Sequence, residues 1–186
     1  SSPRRSGARA TETDPGYTPA RAALAPPGYY LLFIDGGKRA NEQGQAEGAI
    51  GVILQEPDCG AVLATVAEKV GPVGSPHEAE YHALIRGLKL AAEKRLPYVA
   101  AFSDSANVVN QITRGWNKNE RATELHEEVQ EALKPFKWQL SWVPREMNKD
   151  ADKLVASVMQ RLAEGFANET EDQIAARVEI VMTLTV

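Results

Sequence analysis

Cysteine is almost absent. Cys59 is the one cysteine in 186 residues, which rules out an internal disulfide and a cysteine zinc site within the chain and fits a reducing, cytoplasmic compartment. Any metal must then be held mainly by oxygen. Apolar runs are short, none approaching the ~20 residues of a membrane span, and no charged-then-apolar leader opens the chain. A soluble protein with no membrane partner is expected, and Ser1 where a Met would begin is expected to reflect a trimmed N-terminus. Excess positive charge is also lacking, since the formal net charge is −4. That deficit is unevenly spread: residues 1–28 carry +2, residues 163–186 carry −4 and the middle carries −2. If carboxylates in the middle hold divalent cations, the working core becomes neutral to positive, so net acidity does not exclude a phosphate-rich substrate.

What is present is an ordinary globular composition, 43% apolar and 25% charged, enough for one well-cored domain with tails. Its centre is the stretch Tyr29-Tyr30-Leu31-Leu32-Phe33-Ile34-Asp35-Gly36-Gly37. A run apolar on both alternating faces predicts a central strand covered on both sides. Asp35 ends it, and a buried ionised carboxylate requires a partner. An Asp-Gly turn is the plainer reading of that stretch taken alone.

Before the strand, residues 1–28 mix Pro, Gly, Ala, Ser and Arg without hydrophobic period and read as a disordered arm or linker. After it, a polar loop from Lys38 to Glu47 leads into two β-rich segments, Gly48–Gln55 and Ala61–Val70, joined by the turn Glu56-Pro57-Asp58-Cys59-Gly60. The period then changes. Ser75-Pro76-His77-Glu78 opens a helix running to about Arg95, with Ser75 as N-cap, Pro76 at the first helical position and Glu78 completing a capping box. Glu80 falls in its first turn on the face shared with Leu84 and Gly87, where it either points inward or simply meets the helix dipole.

Tyr98–Ser103 is a second buried-type strand ending in Asp104, followed at once by a helix from Ser105 to about Thr113. Asp104 there is a site residue of the kind found at strand ends in open α/β sheets, a helix cap, or both. A loop, Arg114 to Asn119, precedes a helix from about Thr123 to Lys134; Lys137–Val143 alternates as a strand; and a last helix spans about Lys149 to Ala163 with Asp152 in its first turn. Residues 163–186 form an acidic extension whose end, Arg177–Val186, reads as an extra strand or a tail. The order β-β-β-α-β-α-α-β-α predicts an α/β fold: a five-stranded mixed sheet, three strands antiparallel then two parallel, with helices on both faces.

Four segments carry a family resemblance: Ile34-Asp35-Gly36-Gly37; Glu78-Ala79-Glu80-Tyr81-His82-Ala83-Leu84-Ile85; Phe102-Ser103-Asp104-Ser105 through Val109-Asn110-Gln111-Ile112; and Trp142-Val143-Pro144-Arg145-Glu146-Met147-Asn148-Lys149-Asp150-Ala151-Asp152-Lys153-Leu154. In this order they resemble the successive motifs of type 1 ribonuclease H, most closely the branch with Ala-Glu-Tyr and Val-Pro-Arg-x-x-Asn-x-x-Ala-Asp. The resemblance covers residues 29–162, which it marks as the catalytic domain. It implies that Asp35, Glu80, Asp104 and Asp152 form the catalytic, metal-binding set, with Asp150 a solvated neighbour. Hard oxygen ligands of this kind suit two Mg²⁺ ions, with Mn²⁺ as a substitute. The implied reaction is endonucleolytic hydrolysis of the RNA strand of an RNA–DNA hybrid, leaving a 5′-phosphate. Gly36, Gly37, Lys38, His77, Arg114, Trp116, Lys118, Asn119 and Arg145 are the substrate-contact candidates, in a housekeeping enzyme or a nuclease domain of a larger polyprotein.

The chain departs from the family in several places. Asn41-Glu42-Gln43-Gly44 replaces a proline-containing stretch, and Pro76-His77 stands where an Asn-Asn pair commonly helps distinguish RNA from DNA through the 2′-hydroxyl. His77 is then a substrate donor or a plain helix-start residue. Arg145 occupies a loop where some members have histidine, which implies activity without an imidazole shuttle and leaves Arg145 to orient phosphate or ease product release. A long basic insertion is also missing. Trp116 either contacts the DNA strand with Arg114, Lys118 and Asn119 or packs on the next helix. Two rival functions follow: a nuclease of altered substrate preference on the same fold, and a non-catalytic relic that binds nucleic acid or protein. Four retained, mutually repelling acids argue against the relic.

Overall fold

The computed structural model describes residues 25–115 and 120–163, together with Glu179. Five strands, β1 (Tyr30–Ala40), β2 (Ala46–Gln55), β3 (Val62–Pro72), β4 (Tyr98–Ser103) and β5 (Lys137–Trp142), form one sheet in the order β3-β2-β1-β4-β5. The pairs β1–β2 and β2–β3 are antiparallel, while β1–β4 and β4–β5 are parallel. Four helices accompany them among the described residues: α1 (Pro76–Glu93), α2 (Ala106–Arg114), α3 (Glu120–Leu133) and α4 (Lys149–Ala163). None of the helices among the described residues is long and apolar enough to cross a membrane. The expected mixed sheet is therefore present.

Strand β1 sits in the middle because both its faces are apolar. Leu32 and Ile34 enter a core with Leu84 and Leu88 of α1, Val108 and Ile112 of α2, and Leu125 and Val129 of α3. Leu31 and Phe33 enter a second core with Leu154, Val155 and Val158 of α4. Helices thus cover both faces, three on one and one on the other. A fully buried leucine such as Leu84 contributes roughly 1.5–3 kcal/mol by leaving water. Phe33 and Phe102, in register on β1 and β4, stack with ring centroids 5.0 Å apart.

Several boundaries differ from the sequence reading. Strand β1 does not stop at Asp35 but runs on to Ala40, paired with β2 from Leu31↔Gln55 to Ala40↔Ala46. The two glycines and the polar residues after them look like a loop in sequence; tertiary pairing keeps them extended, and the loop shrinks to residues 41–45. Ser75 caps α1, accepting from Glu78 N at 3.3 Å, but the Glu78 carboxylate reaches Gly74 N at 2.9 Å, one residue upstream of a strict capping-box bond. Glu78 rather than Glu80 is the first-turn acid. Helix α3 begins at Glu120, earlier than its apolar periodicity indicates. The N-terminal arm up to residue 24, the loop residues Trp116, Lys118 and Asn119, and the C-terminal extension lie outside the described residues, apart from Glu179, which is helical rather than part of a strand.

Candidate active site

The site is assembled by two close approaches to β1 and its neighbour. On one face, a Cβ at Gly36 would lie 2.4 Å from Ala79 C and 2.5 Å from Glu80 N, so only glycine lets the start of α1 rest against the strand. On the other face, Gly51 is the register partner of Asp35 on β2, and a Cβ there would lie 2.3 Å from Ala151 O at the start of α4. One glycine brings Glu80 to Asp35; the other brings Asp152. Gly37 lies under α4, where a Cβ would meet Met159 Cε at 2.2 Å. Asp104 arrives along β4, parallel to β1, immediately after Ser103. The N-cap of α2 is Ser105, whose hydroxyl accepts from Val108 N at 3.4 Å, so Asp104 is not the capping side chain.

Asp35, Glu80 and Asp104 converge, each offering a carboxylate oxygen within 4.8 Å of the others. Asp35 and Glu80 are buried, Asp104 half-buried and Asp152 exposed at the edge. Glu80 is held at both oxygens, Oε1 accepting from Gly36 N at 3.2 Å and Oε2 from Ser103 Oγ at 3.1 Å. Burial pushes the Asp35 carboxyl up to about 7; its hydrogen bond with Glu80 works against this, while the charges of Asp104 and Asp152 and a hydrogen bond with Asp152 add to it. Glu80 is raised well above the ordinary range by burial and then by Asp35. Asp104 is raised by burial, opposed by the Arg145 guanidinium, whose Nε lies 4.0 Å from Asp104 Oδ2. The buried pair therefore retains a proton near neutral pH in the absence of a cation.

The remaining candidates are dispersed. Lys38 is exposed on β1, its Nζ donating to Gly74 O at 3.3 Å, while His77 is exposed at the second position of α1 and Arg114 at the end of α2. Trp116, Lys118 and Asn119 lie outside the described residues. Three neighbours fall inside the motif segments but are not among the site residues expected from sequence. Ser103 is fully buried under Glu80. Trp142, half exposed, donates from Nε1 to Asp104 O at 3.1 Å. Asn148 is fully buried, donating from Nδ2 to Ile34 O at 2.8 Å, and its Oδ1 is buried with no hydrogen-bond partner among the described residues. Such an orphaned oxygen costs about 1–3 kcal/mol. Their place in the motif segments is the signal that could have found them, since Ser, Trp and Asn at element ends otherwise read as caps or packing.

The donor set fits a hard divalent cation: three oxygen ligands from three elements, two of them buried acids that repel one another when both are ionised. Residues 34–158 match the family model described as reverse transcriptase-like. The chain is 30% identical over 143 residues to the bifunctional protein Rv2228c of Mycobacterium tuberculosis, covering 76% of this chain and 38% of that protein. It thus spans well under half the length of that relative. Its structure is similar to the crystal structure of RNase H1 from the halophilic archaeon Halobacterium salinarum, with a TM-score of 0.65 and 29% identity over 72% of this chain and 98% of that one. It is also similar to LC11-RNase H1 in complex with an RNA/DNA hybrid, with a TM-score of 0.62 and 25% identity over 71% of this chain and 97% of that one. A family match over residues 34–158, joined to a shared sheet order and a carboxylate cluster at its centre, makes this chain a member of the reverse transcriptase-like family with the ribonuclease H fold.

Proposed function

We propose that residues 29–162 form a metal-dependent endonuclease that hydrolyses the RNA strand of RNA–DNA hybrids. The observation that carries this reading is the convergence of Asp35, Glu80 and Asp104 within 4.8 Å at the middle of a ribonuclease H sheet. The hybrid bound to LC11-RNase H1 supports the substrate class. Two divalent ions, Mg²⁺ or in its place Mn²⁺, would supply charge neutralisation and a water of lowered pKa at these oxygens.

The protein's own residues do the rest. Asp35, Glu80 and Asp104 would hold the ions, with Asp152 at the outer edge. Gly36 N–H and Ser103 Oγ hold Glu80 in one orientation, so its carboxylate does not rearrange during reaction. Arg145, largely exposed beside Asp104, is placed to attract the scissile phosphate. Water attacks phosphorus, the bond to the 3′ oxygen breaks, that oxygen takes up a proton and the other product keeps a 5′-phosphate. Lys38 and Arg114, with Trp116, Lys118 and Asn119, provide backbone contacts that position without reading sequence. In this reading the domain works inside the cell, in the cytoplasm, alone or within a larger polyprotein.

Strand-labelled hybrid, duplex RNA and duplex DNA incubated with Mg²⁺ test the proposal. Cleavage confined to the RNA strand of the hybrid is expected. Cleavage of another duplex would replace it with a nuclease of altered preference, and no cleavage in Mg²⁺ or Mn²⁺ with a binder.

A further inference from the structure

Asn148 lies outside the carboxylate set, yet three of its contacts reach the elements that carry that set. Its side chain is 0% exposed. Nδ2 donates to Ile34 O at 2.8 Å, the peptide just before Asp35 on β1. The same side chain lies near the Asp104 carboxylate at the end of β4 and favours its charged form. Its backbone carbonyl accepts from Asp152 N at 3.1 Å, forming the first hydrogen bond of α4. Sites 114 positions apart in sequence are joined by one amide.

The orientation of that amide is informative. Among the described residues its oxygen is buried without a donor, while the NH₂ end donates to Ile34 O. Buried polar groups are nearly always paired, and a site that takes up an ion or a water is one setting in which such an oxygen occurs. Glu80 makes the contrast, because Gly36 and Ser103 hold it without any contribution from Asn148.

Resting on the metal-site reading above, we infer that Asn148 is a positioning residue for divalent-ion binding: its amide fixes Asp104 against the Asp35 end of β1, and its carbonyl fixes the turn that presents Asp152. It touches neither substrate nor reacting atoms. Its contribution is to pre-arrange ligands, as outer-shell hydrogen bonds do in metal sites, where their loss typically lowers metal affinity or activity about 10–100-fold.

The test uses the full chain with Asn148→Ala and Asn148→Leu, the second conserving volume while removing both the donors and the orphaned oxygen. Mn²⁺ binding is followed by loss of the free-ion electron paramagnetic resonance signal, hybrid binding is measured in Ca²⁺, and kcat and KM in Mg²⁺. At least one variant is expected to melt cooperatively without metal and to bind hybrid within about twofold of wild type, with Mn²⁺ affinity and kcat both falling about 10–100-fold and KM little changed. Unchanged Mn²⁺ affinity and kcat in a folded variant would overturn the inference. So would failure of both variants to fold, which would make Asn148 a residue of stability. If the wild type takes up Mn²⁺ and cuts no hybrid, the hydrolase reading falls, and the Mn²⁺ titration of the variants alone decides the role of Asn148. If the wild type takes up no Mn²⁺, both fall.

Discussion

The two halves of the carboxylate cluster are built differently. Asp35 and Glu80 are 6% and 5% exposed, enclosed by β1 and α1, with Glu80 pinned at both oxygens. Asp104 is half-buried and Asp152 exposed, with Arg145 and Asn148 as their partners. The inner half is set by backbone contact across a glycine and titrates high; the outer half faces solvent and depends on side chains. On the proposed function this division would keep the inner ligands in place while the outer ones meet the substrate.

Removing the inner charge should break the comparison most severely. Asp35→Asn is expected to reduce hybrid cleavage to background while stabilising the metal-free protein at high pH. The sign follows from the raised carboxyl. Asp35 titrates at about 7 in the fold against 3.8 ordinarily, so unfolding releases its proton between those values. Its contribution to stability is full below about pH 4 and is lost as pH rises through about 7, a loss on the order of a few kcal/mol that Mg²⁺ should restore. Melting curves in chelator from pH 4 to 9 check this. A wild-type profile no steeper than that of Asp35→Asn would contradict it.

The two glycines sharpen the comparison next. Gly36→Ala and Gly51→Ala each put a methyl group within 2.4 Å of backbone, and each should cost ~1–3 kcal/mol from overpacking. Gly36→Ala should disturb Glu80, and Gly51→Ala should disturb Asp152 and Asn148. Denaturant titration with activity at saturating Mg²⁺ separates them: activity of Gly51→Ala recovers more with added Mg²⁺, because its inner ligands are intact. Equal recovery would erase the distinction.

Arg145→Ala carries the smallest structural effect. The side chain is 83% exposed, so stability should change by less than about 0.5 kcal/mol. Asp104, already raised by burial, loses the cation that opposes that rise. The acid limb of the kcat/KM profile should therefore move to higher pH, and an unmoved limb would remove Arg145 from the site's electrostatics.

Much of this arrangement was legible in the chain. The doubly apolar run before Asp35 marked the central strand, and the change of period at Ser75 marked α1. Asp104 was readable as a strand-end acid because β4 is short and apolar throughout. What sequence hid depends on contact between distant segments. The extension of β1 through Gly36 and Gly37 follows from pairing with β2, and the burial of Glu80 follows from the approach that Gly36 permits. Asn148 is legible as the asparagine of the last motif, but its bond to the Ile34 peptide beside Asp35 is visible only in the fold.

The central claim is that the convergent carboxylates are the working site, and turnover by Asp104→Asn beside wild type on a strand-labelled hybrid in Mg²⁺ tests it most directly. RNA-strand cleavage is expected from the wild type, and none above background from a variant that still folds and binds hybrid. Retained turnover in the purified, folded variant would contradict it.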